Sequence, residues 1–212
     1  EPLKSYQNQR DIILIKMQIA NTLKEKSTPP KESPALNFIK SLEQRAKEAG
    51  YPVNRDTKFS LLVGGNVKTS PSFRVFNYLL RLAEEDVVYL PHEISSQKEL
   101  AEIVQMLREE PRLIELVISD PYKVSVIKYL DELAASAKMS HAVNNVVKRN
   151  GKLQGAMFDG AAFVYWWQNM LGQTLDNKKI IHLGAGGAAR AFAAAVVEVS
   201  AHVELVFTDI VE

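Results

Sequence analysis

From Phe59 onward the sequence predicts an α/β protein with a largely parallel sheet. Three observations predict it. Short apolar runs alternate with helix-length segments, an Asn-Gly pair joins two apolar runs, and a Gly-rich turn separates an apolar run from a helix of small residues. Strands that alternate with helices are joined by crossovers, the connection that parallel pairing requires.

The elements follow in order. Residues 5–25 and 35–50 read as helices: Ile12, Ile15, Ile19 and Leu23 stripe the first, and Leu36, Phe38, Ile39, Leu42 and Ala46 the second, which stops at Gly50. Lys26 to Lys31, with Pro29-Pro30, is a breaker-rich link. Phe59–Val63 is a strand, followed by a Gly-rich turn and a helix over Ser72–Glu85. Val87–Leu90 and Leu113–Ser119 are strands, while Gln97–Glu110 and Tyr122–Ala134 are helices. Ala142–Lys148 and Lys152–Phe158 flank Arg149-Asn150-Gly151 and form a hairpin, because Asn-Gly suits the tight turn that matches strand twist. Gly160–Leu171 is a helix, Lys179–Leu183 a strand, Gly187–Val199 a helix and Val203–Thr208 a last strand. Leu175-Asp176-Asn177-Lys178 is the best boundary. The expected organisation is a helical extension over 1–55, an α/β domain over 56–175, and part of a second domain over 176–212. The 37 residues from Asp176 hold one strand-helix-strand unit, short of a full nucleotide-binding sheet.

Composition removes several function classes. With 26 Lys+Arg against 25 Asp+Glu the chain has no basic field for nucleic acid. No apolar run approaches the ~18 residues of a membrane span. There is no Cys, so thiolate chemistry and disulfides are excluded, and a reducing, cytoplasmic setting is expected. His92, His141, His182 and His202 are scattered, so no metal site is expected.

The sharpest signal is Gly184-Ala185-Gly186-Gly187-Ala188-Ala189-Arg190, directly after a strand and opening a helix. Gly184 permits the tight turn, Gly186 lets a pyrophosphate approach the backbone, and Ala189 lets helix and strand pack closely. The helix N-terminus then offers free N–H groups to phosphate, which points to a dinucleotide. Asp209 ends the next strand, where an acidic residue accepts ribose hydroxyls and repels an added phosphate, favouring NAD over NADP. Arg190 is either a phosphate contact or a solvated helix charge. Ser119-Asp120-Pro121-Tyr122-Lys123 lies at the C-terminal end of a strand, where open α/β sheets bind ligands. By spacing alone Lys123 is more readily a surface lysine. Asp159 fits a simple helix N-cap, and Asn144-Asn145 need partners if buried.

Together these segments resemble the shikimate/quinate dehydrogenase family between Phe59 and Asp209. The residues that carry the resemblance are Ser119-x-Pro-x-Lys123, Leu130-Asp131-Glu132-Leu133, Ala142-Val143-Asn144, Gly151-Lys152-Leu153-x-Gly155, Asp159-Gly160 and the Gly184–Arg190 turn. The resemblance implies a substrate-binding α/β domain followed by a Rossmann-type domain, with the active site between them. It implies Lys123 and Asp159 as the catalytic pair, with Ser119 and Asn144 on the substrate. The implied reaction is hydride transfer between NAD or NADP and a small anionic cyclic hydroxy acid, in a monomer or homodimer. The family's Ser-x-Ser-Pro, whose hydroxyls hold a substrate carboxylate, aligns with Lys68-Thr69-Ser70-Pro71, so Lys68 and Ser70 are expected to line an anionic subsite. Arg74-Val75 then stand where the family has His-Asn, Met157-Phe158 where it has Asn-Thr, and Asn145 where it has Thr. The loop before Pro71 is about two residues short. These departures make a non-catalytic ligand-sensing or scaffold protein of the same fold the alternative. Retention of both Lys123 and Asp159 favours the enzyme.

Overall fold

The computed structural model describes residues 34–200 and 202–209. The helix expected over 5–25 and the link after it lie outside the described residues. Fifteen residues, Pro34–Glu48, form helix α1, and its Ile39, Leu42 and Ala46 are fully buried. Strand β1 (Lys58–Gly64) leads through the glycine turn to α2 (Ser72–Leu82), then β2 (Val87–Glu93), α3 (Gln97–Glu109) and β3 (Leu113–Ile118). Ser96 caps α3 by accepting from the Glu99 amide at 3.2 Å, while Glu99 reaches back to the Ser95 amide, which fixes where that helix starts.

The next stretch departs from expectation. The sequence predicts one helix over Tyr122–Ala134. Instead a 3-10 turn at Ser125–Tyr129 gives way to the two-residue strand β4 (Glu132–Leu133) and a short helix α4 (Ala135–Ser140). The cause is tertiary pairing. Asp131 N donates to Leu153 O, Ala134 N donates to Gly155 O, and the Asp131 carboxylate accepts from Leu153 N. These bonds satisfy the extended backbone better than a helical turn would, and they override local propensity.

Strands β5 (Asn145–Arg149) and β6 (Lys152–Ala156) form the expected hairpin, with Asn150 and Gly151 both at positive φ (50° and 76°) as its turn requires. The sheet order is β2-β1-β3-β5-β6-β4. Pairs β1–β2, β1–β3 and β4–β6 are parallel, whereas β5 runs antiparallel to both neighbours. The sheet is therefore mixed rather than largely parallel, because the hairpin inserts beside β3. Helix α5 (Asp159–Asn169) then crosses to a separate parallel pair, β7 (Lys179–Leu183) and β8 (Glu204–Thr208), joined by α6 (Gly187–Val199).

Period-two alternation gives the six-stranded sheet two different faces. Phe59, Leu61, Val63, Leu116 and Ile118 pack with α1 and α3 into the main core. Helix α1 thus belongs to the main core instead of standing outside it. Each such fully buried aliphatic side chain contributes about 1.5–3 kcal/mol. The opposite face carries Leu62, Tyr89 and Val117 beneath Phe73, Phe76 and Leu80 of α2. A further core joins Val164 of α5 to Phe192, Ala195 and Val196 of α6 and takes in Leu175 from the boundary turn. The helix expected in the first domain is thereby packed on the second unit.

Candidate active site

A cavity of about 380 Å³ opens on the α2 face of the sheet, between that face, the start of α2 and the first turns of α5. Lys123, Ser119, Asn144 and Asp159 all line it. Gly64 lets the β1–α2 loop close over the Ser119 turn: a Cβ there would stand 2.8 Å from the Ser119 Cβ. Ser119 N donates to Val63 O at 2.7 Å and Gly65 N to Asp120 O at 3.2 Å, which fixes the turn. Val143 N donates to Lys123 O, tying the lysine backbone to the segment entering β5.

Lys123 Nζ donates to Asp159 Oδ2 at 2.9 Å and lies 3.5 Å from Asp120 Oδ2. The other Asp159 oxygen accepts from Asn144 Nδ2 at 2.5 Å, and Asn144 Oδ1 accepts from Phe158 N at 2.9 Å. The asparagine thus fixes the carboxylate that fixes the lysine. Burial works against the ammonium, but the hydrogen bond and charge of Asp159, with a smaller part from Asp120, hold Lys123 above its ordinary value. At neutral pH Lys123 therefore rests as an ammonium. That arrangement donates a proton to an oxygen placed beside Nζ.

The glycine motif meets this pair directly. A Cβ at Gly187 would lie 2.9 Å from Lys123 Cβ, so the first turn of α6 abuts the lysine side chain. Gly184 has φ +106°, which only glycine adopts readily, and the space a Cβ would fill at Gly184 and Gly186 is open. Gly186 at the N-cap brings no side chain to the first-turn amides. Ala189 is buried, whereas Ala185, Ala188 and Arg190 are exposed. Asp209 Oδ2 accepts from Ala185 N at 2.6 Å, which sets its carboxylate at the glycine turn. Open space, free amides and an adjacent carboxylate fit a dinucleotide. Among the described residues no cluster of three or more His, Asp or Glu suits a metal ion.

Lys68 and Ser70 are not among the lining residues. Lys68 is exposed and pairs with Glu93 at 2.6 Å, and Arg74 is exposed over the Phe73 ring. The cavity takes Ser72 instead, whose hydroxyl is 2.9 Å from that of Ser70. This corrects the alignment by two residues: Ser70-x-Ser72 falls on the family's Ser-x-Ser, and Asn77 on the Asn of its His-Asn. Asn77 is buried and clasps the Tyr89 backbone, donating to its carbonyl and accepting from its amide, both at 2.8 Å. The shift also removes the apparent two-residue deficit in the loop. Phe73 then stands where the family has Pro.

Sequence reasoning missed Tyr89, Glu115 and Tyr165 on the cavity wall and left Asn145 open. Glu115 carried a legible signal, a lone acid inside the apolar run Leu113–Ile118.

Residues 62–146 match the family described as the shikimate dehydrogenase substrate binding domain. A shikimate dehydrogenase (NADP(+)) of Lactococcus lactis subsp. cremoris (strain MG1363) is 40% identical over 141 residues, 65% of this chain and 47% of that protein. The Streptococcus sanguinis (strain SK36) shikimate dehydrogenase (NADP(+)) is 35% identical over 156 residues, 74% and 53% of the two chains. The shikimate 5-dehydrogenase of Listeria monocytogenes, solved with shikimate and NAD, superposes with a TM-score of 0.67 at 29% identity, covering 76% of this chain and 54% of that one. This chain spans about half the length of the curated relatives it matches. With the fold, the ordered motifs and the domain match in agreement, the chain belongs to the shikimate dehydrogenase family.

Proposed function

We propose that this chain serves an NAD(P)-dependent dehydrogenase that interconverts a hydroxylated cyclic carboxylate of the shikimate or quinate kind and its ketone. The observation that carries the reading is the Lys123–Asp159 pair, 2.9 Å apart in the cavity wall and abutted by Gly187 of the dinucleotide motif. When bound, the nicotinamide supplies or accepts the hydride. The chain's own residues position the substrate and move the proton. Ser72, with the Ser70 hydroxyl beside it, offers its hydroxyl to the substrate carboxylate, and Ser119 and Asn144 face the ring. Lys123 Nζ gives its proton to the carbonyl oxygen as the alcohol forms and takes it back in the reverse direction. Asp159 holds the ammonium in line and offsets its charge. Since Asp159 and Asp120 raise the lysine, the ammonium form that donates in reduction predominates near neutral pH, and the rate of oxidation should increase as pH rises.

Gly184, Gly186, Gly187 and the first-turn amides of α6 would hold the pyrophosphate, with Arg190 nearby. Asp209 supports NAD over NADP, because its carboxylate would meet a 2′-phosphate with like charge. The names of the curated relatives, NADP(+) enzymes, point the other way. Titration of the protein with both cofactors decides this: tighter binding of NADP refutes the reading of Asp209.

The function itself is tested with a panel of cyclic hydroxy acids, each offered with NAD and with NADP and followed by nicotinamide absorbance and by calorimetry. Turnover of a cyclic acid that Lys123→Met abolishes supports the proposal. Binding of an acid without turnover under any condition refutes it in favour of a ligand-sensing protein of the same fold.

A further inference from the structure

We infer that Glu115, with the groups that hold it, is a second recognition point in this cavity, taking a hydrogen-bond donor carried by the substrate away from its reacting carbinol. The donor is a hydroxyl or an ammonium, and the inference rests on the dehydrogenase reading above. Glu115, Val117 and Ser119 alternate along one strand and share a face. Glu115 therefore lies about 13 Å along β3 from the Ser119 end, at 3.3 Å per residue. Leu62 and Val117 line the wall between. The cavity has a polar end at Lys123, an apolar middle and a second polar end at Glu115.

That second end is built. Glu115 is only 6% exposed, yet it lines the cavity. One of its oxygens accepts from Asn145 Nδ2 at 2.5 Å, and the other accepts from the Ser60 hydroxyl on the neighbouring strand. Both of these partners are neutral. They orient the carboxyl group, whose two oxygens offer more acceptor positions than these two donors use, so a further donor brought into the cavity can be taken up there. Tyr89 lines the same end, and burial, reinforced by the Glu115 charge, keeps its hydroxyl protonated against a smaller opposing contribution from Ser72. A ligand carboxylate aimed at this end meets like charge, so Glu115 also sets which way round the ring enters. The Thr-to-Asn change at Asn145 belongs to the same device: a hydroxyl there would lack the second donor and the reach of the amide.

The test uses three cyclohexene carboxylates that differ at one ring carbon remote from the carbinol, which bears hydrogen, hydroxyl or ammonium. Each is titrated into the protein by calorimetry. The expected result is a ladder, with the hydroxyl or the ammonium compound about tenfold tighter than the hydrogen-bearing one. Whichever of the two leads identifies the donor. Glu115→Gln should weaken the leading compound about tenfold and leave the hydrogen-bearing acid unchanged. Equal affinity across the three in the wild type overturns the subsite alone and leaves the dehydrogenase reading standing. Failure of all three to bind overturns both. Because the ladder is measured on the wild type, a Glu115→Gln protein that does not fold leaves the test intact, and a folded variant with an unchanged ladder refutes the assignment.

Discussion

Gly160 is where the two parts of the molecule press hardest on each other, and Gly160→Ala measures how much the fold depends on it. A Cβ at this position would stand 1.9 Å from the Ala191 carbonyl oxygen, 2.4 Å from its carbon and 3.0 Å from the Ala195 Cβ. Ordinary contact begins near 3.4 Å, so α5 must move about 1.5 Å off α6. The obstacle is backbone, so no rotamer change relieves it. Such a gap strips Val164 from Phe192, Ala195 and Val196, the core that holds the helix pair. Overpacking costs about 1–3 kcal/mol where side chains can adjust, and the cost rises where they cannot. Against it stands the roughly 1 kcal/mol by which alanine is the better helix former. The net expectation is a loss of about 2 kcal/mol or more. Asp159 precedes Gly160, so the same movement opens its 2.9 Å bond to Lys123, and turnover should fall with stability. Urea unfolding followed by the fluorescence of Trp166 and Trp167 gives the midpoint shift. An unchanged midpoint would mean that α5 and α6 part without cost, and that their close crossing does not hold the fold together.

Lys123→Met should cut turnover by roughly 10²–10⁴-fold while leaving dinucleotide binding intact. Asp159→Ala should also slow turnover, and the double variant should be little worse than the worse single, because the pair acts as a unit; additive losses would separate their roles. Asn77→Ala removes both hydrogen bonds to the buried Tyr89 backbone. It should cost about 1–3 kcal/mol in a denaturant titration, and a neutral result would mean the β2 edge finds other partners. Burial, with Arg45 nearby, holds His92 down to about 4, below its unfolded value near 6.5. The unfolded chain therefore binds more protons between those values. Stability is complete above about pH 6.5 and falls toward pH 4, by about 3 kcal/mol at most. His92→Gln should flatten that slope in urea midpoints measured at pH 7 and pH 4.5, and an identical slope would acquit His92.

The helices and strands from Phe59 onward were legible because their apolar residues repeat at the spacing of one face. Leu100, Ile103, Val104 and Leu107 mark α3, and each is buried. The Asn150-Gly151 turn was legible for a different reason, since its backbone needs positive φ at both residues. The segment over Tyr122–Ala134 misled because its own residues tolerate a helix. What decides its shape is the edge of β6, which lies outside that window and pairs with Asp131 and Ala134 within it. Sheet direction failed similarly, since a strand's apolar run is the same whether its neighbour runs with it or against it. The hairpin placed β5 against β3, and the pairing of Glu115 with Val147 and of Val117 with Asn145 shows the reversal.

At the site the same division holds. Lys123 and Asp159 were found through motif order, but spacing alone gave each a bland reading, because 36 residues separate them and only the β3–β5 neighbourhood brings them together. The serine pair was misread by two positions, since a loop has no periodicity to fix its register; the buried amide of Asn77, clasped to Tyr89, supplies the anchor that the loop lacks. Glu115 was visible as a lone acid in an apolar strand, yet its meaning depends on which face of the sheet it shares, and with whom. Ser60 and Asn145 come from strands on either side of β3. The polar end of the cavity is thus a property of three strands in register. Conversely, the contact of Gly187 with Lys123 joins a motif read as phosphate binding to the side chain proposed to transfer the proton. A side chain at that glycine would push α6 off the lysine, so the glycine motif also fixes how closely α6 packs on the Lys123 side chain.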